Sequence, residues 1–427
     1  MRNDHQQVNR RNFLHFSTIG AAAGLALPTL VGARALGLDG ETAANDRVQL
    51  GHIGVGGQGG HLFRSLQPCR SAQSVAISDC YRSRREAYAA AIQGTAYDDY
   101  VELLARPEID AVVIATPDHQ HVPAALAAAR AGKDAYVEKP LGLSIAQDLE
   151  CRRVFGECGR VFQYGTQQRS SGFMTVGDQN PRLENHCRYG CELVRSGRIG
   201  KVKRIEVVAP NGGAGGSTTA IPVPDDLDFA RWCGPNIKRD YTADLCTPPG
   251  TYYVYDWSIG YLGGWGAHPL DIMVWGDDSD ISGPMTVEGT GVIPTEGLYD
   301  SVYDWDCTLQ CANGVEIHIT PGGDSTKFIG EEGWVAIGRG WIDAGPKSLL
   351  DVEIGPNDFR LMDSRNHYQN FVDGVRGRFE GTSSLVHAVR SDIISHLCDI
   401  AIREGRQIIW DPTAETIVGD AAARMKR

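Results

Sequence analysis

The chain has 427 residues, of which 42% are hydrophobic, and its formal net charge is −12 at pH 7. This length exceeds one ordinary hydrophobic core and predicts two or three domains. The acidic balance and the lack of a basic run argue against nucleic acid or an anionic membrane surface as a partner, which leaves a small molecule.

The N-terminal 35 residues have the pattern of an export signal. Arg10 and Arg11 precede an uncharged run, from Phe16 to Gly32, that is too short and too rich in Gly and Ala to span a bilayer well. The segment Ala33–Ala35 fits a cleavage site. We therefore predict a twin-arginine signal over residues 1–35 and export of the folded protein to the periplasm with its cofactor tightly bound. An uncleaved anchor or a disordered tail is the alternative.

A glycine-rich turn after an apolar run is the most informative feature of the chain. Gly54, Gly56 and Gly59 have the spacing of a strand–turn–helix dinucleotide site. The first glycine would form the tight turn, and the second would let backbone N–H groups approach a diphosphate. The third would allow close packing of the helix, whose N-terminus then faces the anion. Gly57 and Gln58, inside the same turn, are also predicted to contact the dinucleotide.

Asp79 ends a second apolar run, twenty residues after the last glycine of the turn. A carboxylate there would accept hydrogen bonds from a ribose diol and repel a 2′-phosphate, so NAD is favoured over NADP. Arg82, Arg84 and Arg85 follow closely. They either neutralise such a phosphate or form the solvated face of a helix, so NADP stays open as the alternative cofactor.

Strands and helices alternate from residue 46 to residue 170. After the strand that ends at Asp79 we predict helices over 82–92, 119–131 and 144–158 and strands over 110–116, 134–137 and 160–165. This alternation indicates an α/β Rossmann domain with a doubly wound parallel sheet that binds its ligand at the carboxyl ends of the strands. Thr116, Pro117 and His119 follow one such end and are predicted to contact the cofactor.

The pattern changes beyond residue 170. We predict a helix over 183–196, a strand over 202–209, a Gly/Pro-rich segment over 210–250 and short alternating strands over 285–352. Ala312–Gly314 would join two of these strands, 304–311 and 315–320, in a hairpin. The pattern favours an α+β domain over 171–380 with an open, mostly antiparallel sheet. Helices over 367–378 and 383–404 follow, and we expect residues 381–427 to pack back on the first domain as helices.

Several short motifs occur together in one order. They are Ala115–His121, Ala131–Lys133, Glu138–Leu141, Gly165–Arg169, Ser196–Lys201 and Gly263–Asp271. With the glycine turn they cover nearly all of the chain after the export signal, and the chain resembles the glucose-fructose oxidoreductase, inositol dehydrogenase and rhizopine-catabolism (Gfo/Idh/MocA) family. The resemblance implies an NAD(P)-dependent oxidoreductase that acts on a CH–OH group of a carbohydrate. It also implies a homo-oligomer formed through the open sheet.

Lys139 is the first predicted catalytic residue. The resemblance places the lysine of its Glu-Lys-Pro motif beside the nicotinamide and the substrate hydroxyl. Independently, an ammonium at a strand end in a dry crevice can polarise a hydroxyl or stabilise an alkoxide. A surface lysine is the alternative. On the same motifs we predict cofactor contacts from Glu138, His121 and Gln167.

His268 is the second predicted catalytic residue, because the resemblance places a catalytic histidine on the helix that begins there. A neutral imidazole can take a hydroxyl proton near neutral pH, whereas a capping or core histidine is the alternative. The chain departs from inositol dehydrogenases, which carry an aspartate four residues before this histidine, where Gly264 stands here. We therefore predict a Lys139–His268 pair rather than a three-residue relay. Asp271 is interpreted as a buried hydrogen-bonding or helix-terminal residue rather than a second base.

Aromatic residues are concentrated just before His268. Tyr252, Tyr253, Tyr255, Trp257 and Tyr261 would suit the apolar faces and polar edges of a sugar, and core packing would explain them as well. Substrate contacts are predicted from Lys139, Arg169, Tyr255, Trp265 and His268. Trp232 resembles part of a family segment that approaches the cofactor from the second domain, or else it is a packed tryptophan beside a turn.

The eleven cysteines form no Cys-x-x-Cys pair. This spacing favours buried core thiols over a zinc site, and we predict no metal site.

Three functions stay open on the sequence alone. The first is a periplasmic NAD(P)-dependent oxidoreductase acting on a secondary hydroxyl of a sugar, polyol or glycoside, with Lys139 and His268 handling the hydroxyl proton. The second is an NAD-dependent glycoside hydrolase that oxidises its substrate transiently and recycles a tightly bound NAD, or a related sugar–sugar transhydrogenase. The third is a non-catalytic binding protein that keeps the nucleotide for structure.

Overall fold

The fold is described here from a computed structural model that covers residues 42–43, 46–172, 183–234 and 239–420. Residues from Arg47 onward form one unit. The predicted export signal, residues 1–35, lies outside the described residues. Within the ranges just given, no helix combines the length and the apolar character that crossing a bilayer requires.

The first sheet has six parallel strands. They are β1 (Val48–Ile53), β2 (Ala72–Ser78), β3 (Thr95–Tyr97), β4 (Ala111–Ile114), β5 (Asp134–Val137) and β6 (Phe162–Tyr164). Their spatial order is β3-β2-β1-β4-β5-β6, and every neighbouring pair is parallel. Because the order reverses between β1 and β4, the loops after these two strands diverge and open a crevice at their carboxyl ends. The predicted doubly wound sheet is confirmed.

Helices cover both faces of this sheet, which explains why its central strands are continuous apolar runs. They are α1 (Gly57–Leu66), α2 (Arg82–Ile92), α3 (Tyr100–Leu104), α4 (His121–Arg130) and α5 (Ile145–Cys158). Two short 3-10 turns, Asp118–Gln120 and Gln167–Arg169, follow β4 and β6. They bring two polar segments to the carboxyl edge of the sheet.

The second sheet has nine strands and is mostly antiparallel, as predicted. They are β7 (Val202–Ala209), β8 (Met285–Val292), β9 (Asp304–Gln310), β10 (Glu316–Pro321), β11 (Ser325–Gly330), β12 (Trp334–Gly338), β13 (Trp341–Gly345), β14 (Ile408–Asp411) and β15 (Thr416–Ile417). Their order is β13-β12-β11-β7-β10-β9-β8-β14-β15, and only the β7–β10 pair among them is parallel. The predicted hairpin joins β9 to β10.

Helices pack on one face of the second sheet. The helices of this domain are α6 (His186–Arg195), α7 (Phe229–Cys233), α8 (Gly250–Tyr253), α9 (Tyr261–Gly264) and α10 (Ala267–Gly276). A Cβ atom at Gly190 would lie 2.6 Å from Ile337, and one at Gly276 would lie 2.5 Å from Phe328, so glycine permits the close approach of α6 and α10. The opposite face carries partly exposed ion pairs such as Arg204–Glu316. Association through that face stays a prediction.

The C-terminal segment packs on the first domain and adds strands to the sheet of the second domain. Helix α11 (His367–Gly377) packs Phe371 and Val372 against Val48 and Leu50 of the first sheet. Helix α12 (Leu385–Glu404) follows. Residues 381–427 were expected to pack back on the first domain as helices, but β14 and β15 extend the second sheet, because Ile408 and Trp410 bury alternate side chains there. Residues 421–427 lie outside the described ranges.

Nine of the eleven cysteine thiols are buried, as the sequence predicted for core side chains.

Candidate functional site

A cavity of about 620 Å³ opens at the carboxyl ends of β1, β2 and β4. This volume is in the range of small-molecule and cofactor pockets. The first domain contributes Gly54, Gly56, Gly57, Gln58, Asp79, Thr116 and Pro117 to its wall, all of which were predicted to contact the cofactor. The cavity therefore lies where the strand order reverses.

The glycine turn has the geometry that a diphosphate requires. Gly54 has a φ of +83°, and a Cβ atom there would lie 2.6 Å from the Ala115 carbonyl oxygen. A Cβ atom at Gly59 would lie 2.1 Å from the Gly54 oxygen, so this glycine permits the close helix–strand packing. At Gly57, where α1 begins, the Cβ position is open, and the first turn holds no acidic side chain. These residues fit an anion at a helix N-terminus.

Asp79 is held in place by two backbone amides. Its Oδ2 accepts a hydrogen bond from Val55 N and its Oδ1 accepts one from Tyr81 N, each at 2.8 Å. Burial raises the pKa of Asp79, whereas these amides and Arg84 favour the charged form. Each oxygen keeps a lone pair, as acceptance from a ribose diol requires.

Only Arg84 of the three neighbouring arginines lines the cavity in the described part of the chain. Its Nη1 lies 3.2 Å from the Cβ position of Gly56, and its guanidinium stacks on Tyr81 at 3.8 Å. Arg82 donates to the Asp225 carbonyl oxygen and Arg85 to that of Asp79. Arg84 is thus the arginine placed to meet a phosphate.

We predict that Asp79→Ser shifts the cofactor preference toward NADP. The change removes charged hydrogen bonds worth roughly 1.5–3 kcal/mol, so the Kd for NAD should rise by about 10- to 100-fold while NADP binding improves. Calorimetric titration with both cofactors measures the ratio, and Glu86→Ser, an exposed acid on α2, is the control. In a double variant that also carries Arg84→Ala, the improvement in NADP binding should be lost. An unchanged ratio in Asp79→Ser would contradict the assignment.

The second domain closes the cavity with Trp232, Thr251 and Tyr252. The Trp232 carbonyl oxygen accepts a hydrogen bond from His119 Nε2 at 2.6 Å. His119 was predicted to contact the cofactor, but its ring lies behind the wall and holds the Trp232 segment instead. This bond joins the loop after β4 to the second domain.

Three other predicted cofactor residues lie behind the described wall. The two ring nitrogens of His121 contact the carbonyl oxygens of Pro140 at 2.6 Å and Thr116 at 2.9 Å. Glu138 Oε1 accepts hydrogen bonds from Gln58 Nε2 at 2.9 Å and Gln167 Nε2 at 2.7 Å. None of the three lines the described cavity wall, and cofactor contacts from them stay a prediction. His121, Glu138 and Gln167 support wall residues, because burial and polar neighbours occupy their side chains.

Lys139 contacts the segment that leads into His268, and neither residue lines the large cavity, so their joint contact with a substrate stays a prediction. Lys139 Nζ donates to the Gly264 carbonyl oxygen at 3.0 Å, four residues before His268. Burial lowers the pKa of His268 well below its usual value, and the charges of Lys139 and Arg339 lower it further. His268 is therefore neutral at pH 7.

Gln168 fixes the tautomer of His268. The Gln168 amide nitrogen donates to Asp271 Oδ2 at 3.1 Å, so its Oε1 faces His268 Nδ1 at 2.9 Å. An amide oxygen only accepts, which places the ring proton on Nδ1 and leaves Nε2 as the acceptor. Trp265 packs edge-on against the same ring at 6.2 Å.

Arg169 does not contact substrate, contrary to the sequence prediction. It is fully buried, and its Nε and Nη2 donate to the two carboxylate oxygens of Asp271, each at 2.7 Å. Its Nη1 donates to the Thr382 carbonyl oxygen at 3.1 Å. This bidentate pair leaves the guanidinium no route to a ligand.

Tyr255 was also predicted to contact the substrate, and the structure gives it other partners. Its hydroxyl donates to Asp399 Oδ2 at 2.9 Å, and Arg403 stacks on its ring at 3.4 Å. These contacts attach Tyr255 to α12, whereas Tyr252 is the tyrosine of that cluster in the cavity wall.

Sequence reasoning did not select Asp118 or Gln168 as site residues. Asp118 lines the cavity, and Gln168 orients the histidine. Both lie in polar segments directly after a strand, and this position could have identified them from the sequence.

We predict that Asp271→Ala destabilises the protein by about 3–5 kcal/mol, because it leaves Arg169 charged and unpaired in the interior. The matched control is Asp343→Ala, which breaks an exposed pair with Lys347 and should cost less than about 1 kcal/mol. Urea unfolding followed by tryptophan fluorescence measures both. Equal losses in the two variants would contradict a structural role for the buried pair.

Two family models match the sequence. Residues 48–166 match the oxidoreductase family with an NAD-binding Rossmann fold, Gfo/Idh/MocA, and residues 213–426 match the C-terminal alpha/beta domain of that oxidoreductase family. The second match alone spans half of the chain. The chain belongs to the Gfo/Idh/MocA oxidoreductase family. Its first domain is therefore an NAD-binding Rossmann domain.

Curated relatives of this Gfo/Idh/MocA protein include inositol dehydrogenases. The chain is 29% identical over 84% of its length to inositol 2-dehydrogenase of Rhizobium meliloti strain 1021, of which it covers 98%. Two other matches are shorter. The chain is 32% identical to inositol 2-dehydrogenase of Rhodococcus jostii over 30% of its length. It is 34% identical to a glycosyl hydrolase family 109 protein of Shewanella amazonensis over 33% of its length. These two matches span 36% and 35% of the relatives' own lengths.

Solved structures share the fold. The WlbA dehydrogenase of Bordetella pertussis, in complex with NADH and UDP-GlcNAcA, superimposes with a TM-score of 0.61 at 19% identity and covers 84% of this chain and 98% of its own. GenD2 from gentamicin A biosynthesis, in complex with NAD, gives 0.61 at 18% identity, with 87% and 98% covered.

Proposed function

We propose that the protein is an NAD(P)-dependent oxidoreductase that acts on a secondary hydroxyl of a sugar, polyol or glycoside. The hydrogen bond from Lys139 Nζ to the Gly264 carbonyl oxygen carries the proposal. This bond holds the Lys139 ammonium, which belongs to the first domain, against the segment that leads into His268. The contact lies next to a cavity that fits a dinucleotide.

The glycine turn, Asp79 and Trp232 would hold the NAD. Bound NAD supplies the acceptor for the hydride that leaves the carbinol carbon. Lys139 would donate a hydrogen bond to the substrate oxygen and stabilise its developing negative charge. His268 would accept a hydrogen bond from the hydroxyl at Nε2, because its Nδ1 carries the ring proton.

The substrate class rests on similarity and on aromatic side chains. The Rhizobium meliloti relative acts, by its name, on inositol. Tyr252 lines the cavity and Trp265 packs on His268, so flat rings are available for the C–H face of a carbohydrate.

A redox-neutral glycoside hydrolase is the second candidate. The observation in its favour is the 34% identity to a family 109 glycosyl hydrolase over 33% of this chain. Such an enzyme would begin with the same oxidation, so the same residues would act first.

We predict that Lys139→Met lowers kcat by about 10²- to 10⁴-fold, the range of a proton-handling group, while NAD binding is retained. NADH absorbance, followed with a panel of polyols and glycosides that includes inositol, measures the rate. Lys201→Met, at an exposed position, is the matched control. Full activity in Lys139→Met would remove this lysine from the mechanism.

The same panel separates the candidate functions. Accumulated NADH supports the dehydrogenase, whereas released aglycone without net NADH supports the hydrolase. Oxidation of one sugar coupled to reduction of another supports a transhydrogenase. No reaction with any compound would contradict an enzymatic role in favour of a binding protein.

The proposal includes export to the periplasm, which rests on residues 1–35 alone. Arg10→Lys combined with Arg11→Lys should hold the precursor in the cytoplasm, because the twin-arginine pair is the recognised feature. Cell fractionation of the full-length protein measures the distribution. Cytoplasmic protein in both the parent and the variant would contradict export.

A further inference from the structure

Asp118 is a buried carboxylate at the inner wall of the cavity. It lies in the 3-10 turn after β4, is 5% exposed and lines the cavity. Among the described residues its Oδ2 has no hydrogen-bond partner. A buried polar atom without a partner is costly, so it indicates a group that meets a ligand or exchanges a proton.

Asp118 occupies the space beside Gly264. A Cβ atom at Gly264 would lie 3.9 Å from Asp118 Oδ2, and the Gly264 carbonyl oxygen accepts the hydrogen bond from Lys139 Nζ. The missing side chain at residue 264 thus leaves room for a carboxylate from the first domain. That carboxylate is close enough to interact electrostatically with the Lys139 ammonium.

We propose that Asp118 is the final acceptor of the substrate hydroxyl proton, which reaches it through Lys139. The inference rests on the proposed oxidoreductase function and adds to it a third group that the family resemblance did not supply.

The proton transfer balances as follows. Lys139 passes one N–H proton through a water of the cavity to Asp118 Oδ2, which lies beyond hydrogen-bonding distance of the ammonium. As that N–H bond breaks, the substrate O–H bond breaks too, and its proton leaves the hydrogen bond to His268 Nε2 and joins the Lys139 nitrogen. The electron pair of the carbinol C–H bond leaves as hydride to the NAD of the proposed function. The products are a ketone, an unchanged ammonium at Lys139 and a neutral carboxylic acid at Asp118. The acid then loses its proton to water in the cavity.

The charges around the two candidate acceptors favour Asp118 over His268. A proton on His268 would create a buried cation beside Lys139 and Arg339, whose charges already lower its pKa. A proton on Asp118 instead removes a buried negative charge. Burial raises the pKa of Asp118 to about 7, with the Ser258 hydrogen bond and Lys139 acting in the opposite direction. An acceptor with a pKa near the working pH is well matched to its task.

Groups from four segments act on Asp118. Lys139 follows β5, Ser258 precedes α9, Tyr252 is on α8 and Asp392 is on α12. The ionised form accepts the proton, so the rate of oxidation should fall as pH decreases through about 7. Removing the Ser258 hydroxyl takes away a bond that favours the carboxylate. It should therefore move this fall to higher pH.

The test compares pH profiles of kcat for polyol oxidation. We expect Asp118→Asn to lose about 10²- to 10⁴-fold in kcat and to lose the fall below pH 7. Asp118→Glu should keep the fall, and Ser258→Ala should shift it upward. Asp240→Asn, an exposed acid, is the control, and calorimetric NAD titration verifies that each variant is folded. An Asp118→Asn variant that keeps the wild-type rate, or keeps the fall below pH 7 at a lower rate, overturns the proposal.

A direct titration separates failure of this inference from failure of the proposed function. Carbon-13 NMR of the cofactor-free protein, labelled at aspartate carboxyl carbons, should show a signal that titrates near pH 7, moves upward in Ser258→Ala and is missing in Asp118→Asn. If no panel compound reacts, the oxidoreductase function fails, yet this titration still applies. An Asp118 signal that titrates in the ordinary aspartate range overturns the inference with or without turnover.

Discussion

The buried ion pair between Arg169 and Asp271 is the interaction on which the geometry of the site depends. Arg169 comes from the turn after β6 and Asp271 from α10, so the pair fixes the carboxyl edge of the first sheet against the helix of the second domain. An unpaired charge at this depth would cost several kcal/mol, so each partner depends on the other. The carboxylate then orients the Gln168 amide, and the amide sets the tautomer of His268. One structural charge pair thus determines which imidazole nitrogen can accept a proton.

The Lys139 ammonium acts on two neighbours in a compatible way. Its charge lowers the pKa of His268 and opposes the rise that burial imposes on the pKa of Asp118. Both effects favour the deprotonated forms, which are the forms that accept hydrogen bonds or protons from a hydroxyl. Because Lys139 also bonds the Gly264 carbonyl oxygen, this electrostatic effect depends on the contact between the two domains.

The sequence predicted elements better than side-chain roles. Helix Arg82–Ile92 and strands Asp134–Val137 and Val202–Ala209 have the expected bounds, because apolar periodicity reports which face of an element is buried. Arg169 and Tyr255 were both expected at the substrate. Each instead pairs with a residue more than one hundred positions away, at separations of 102 and 144. No local pattern carries that information.

Lys139 and His268 were nominated through the family resemblance, whereas the sequence by itself determined the doubly wound first domain, the mostly antiparallel second sheet and the dinucleotide turn. These follow from short-range constraints, since a turn that needs a φ of +83° selects glycine and an apolar strand must be covered. Only the tertiary structure decided that Arg169 is internal and that Asp118 lies beside Gly264. The physical reason is that burial and charge pairing are set by which distant segments pack together, and that packing brings the carboxyl edge of one sheet against a helix of the other domain.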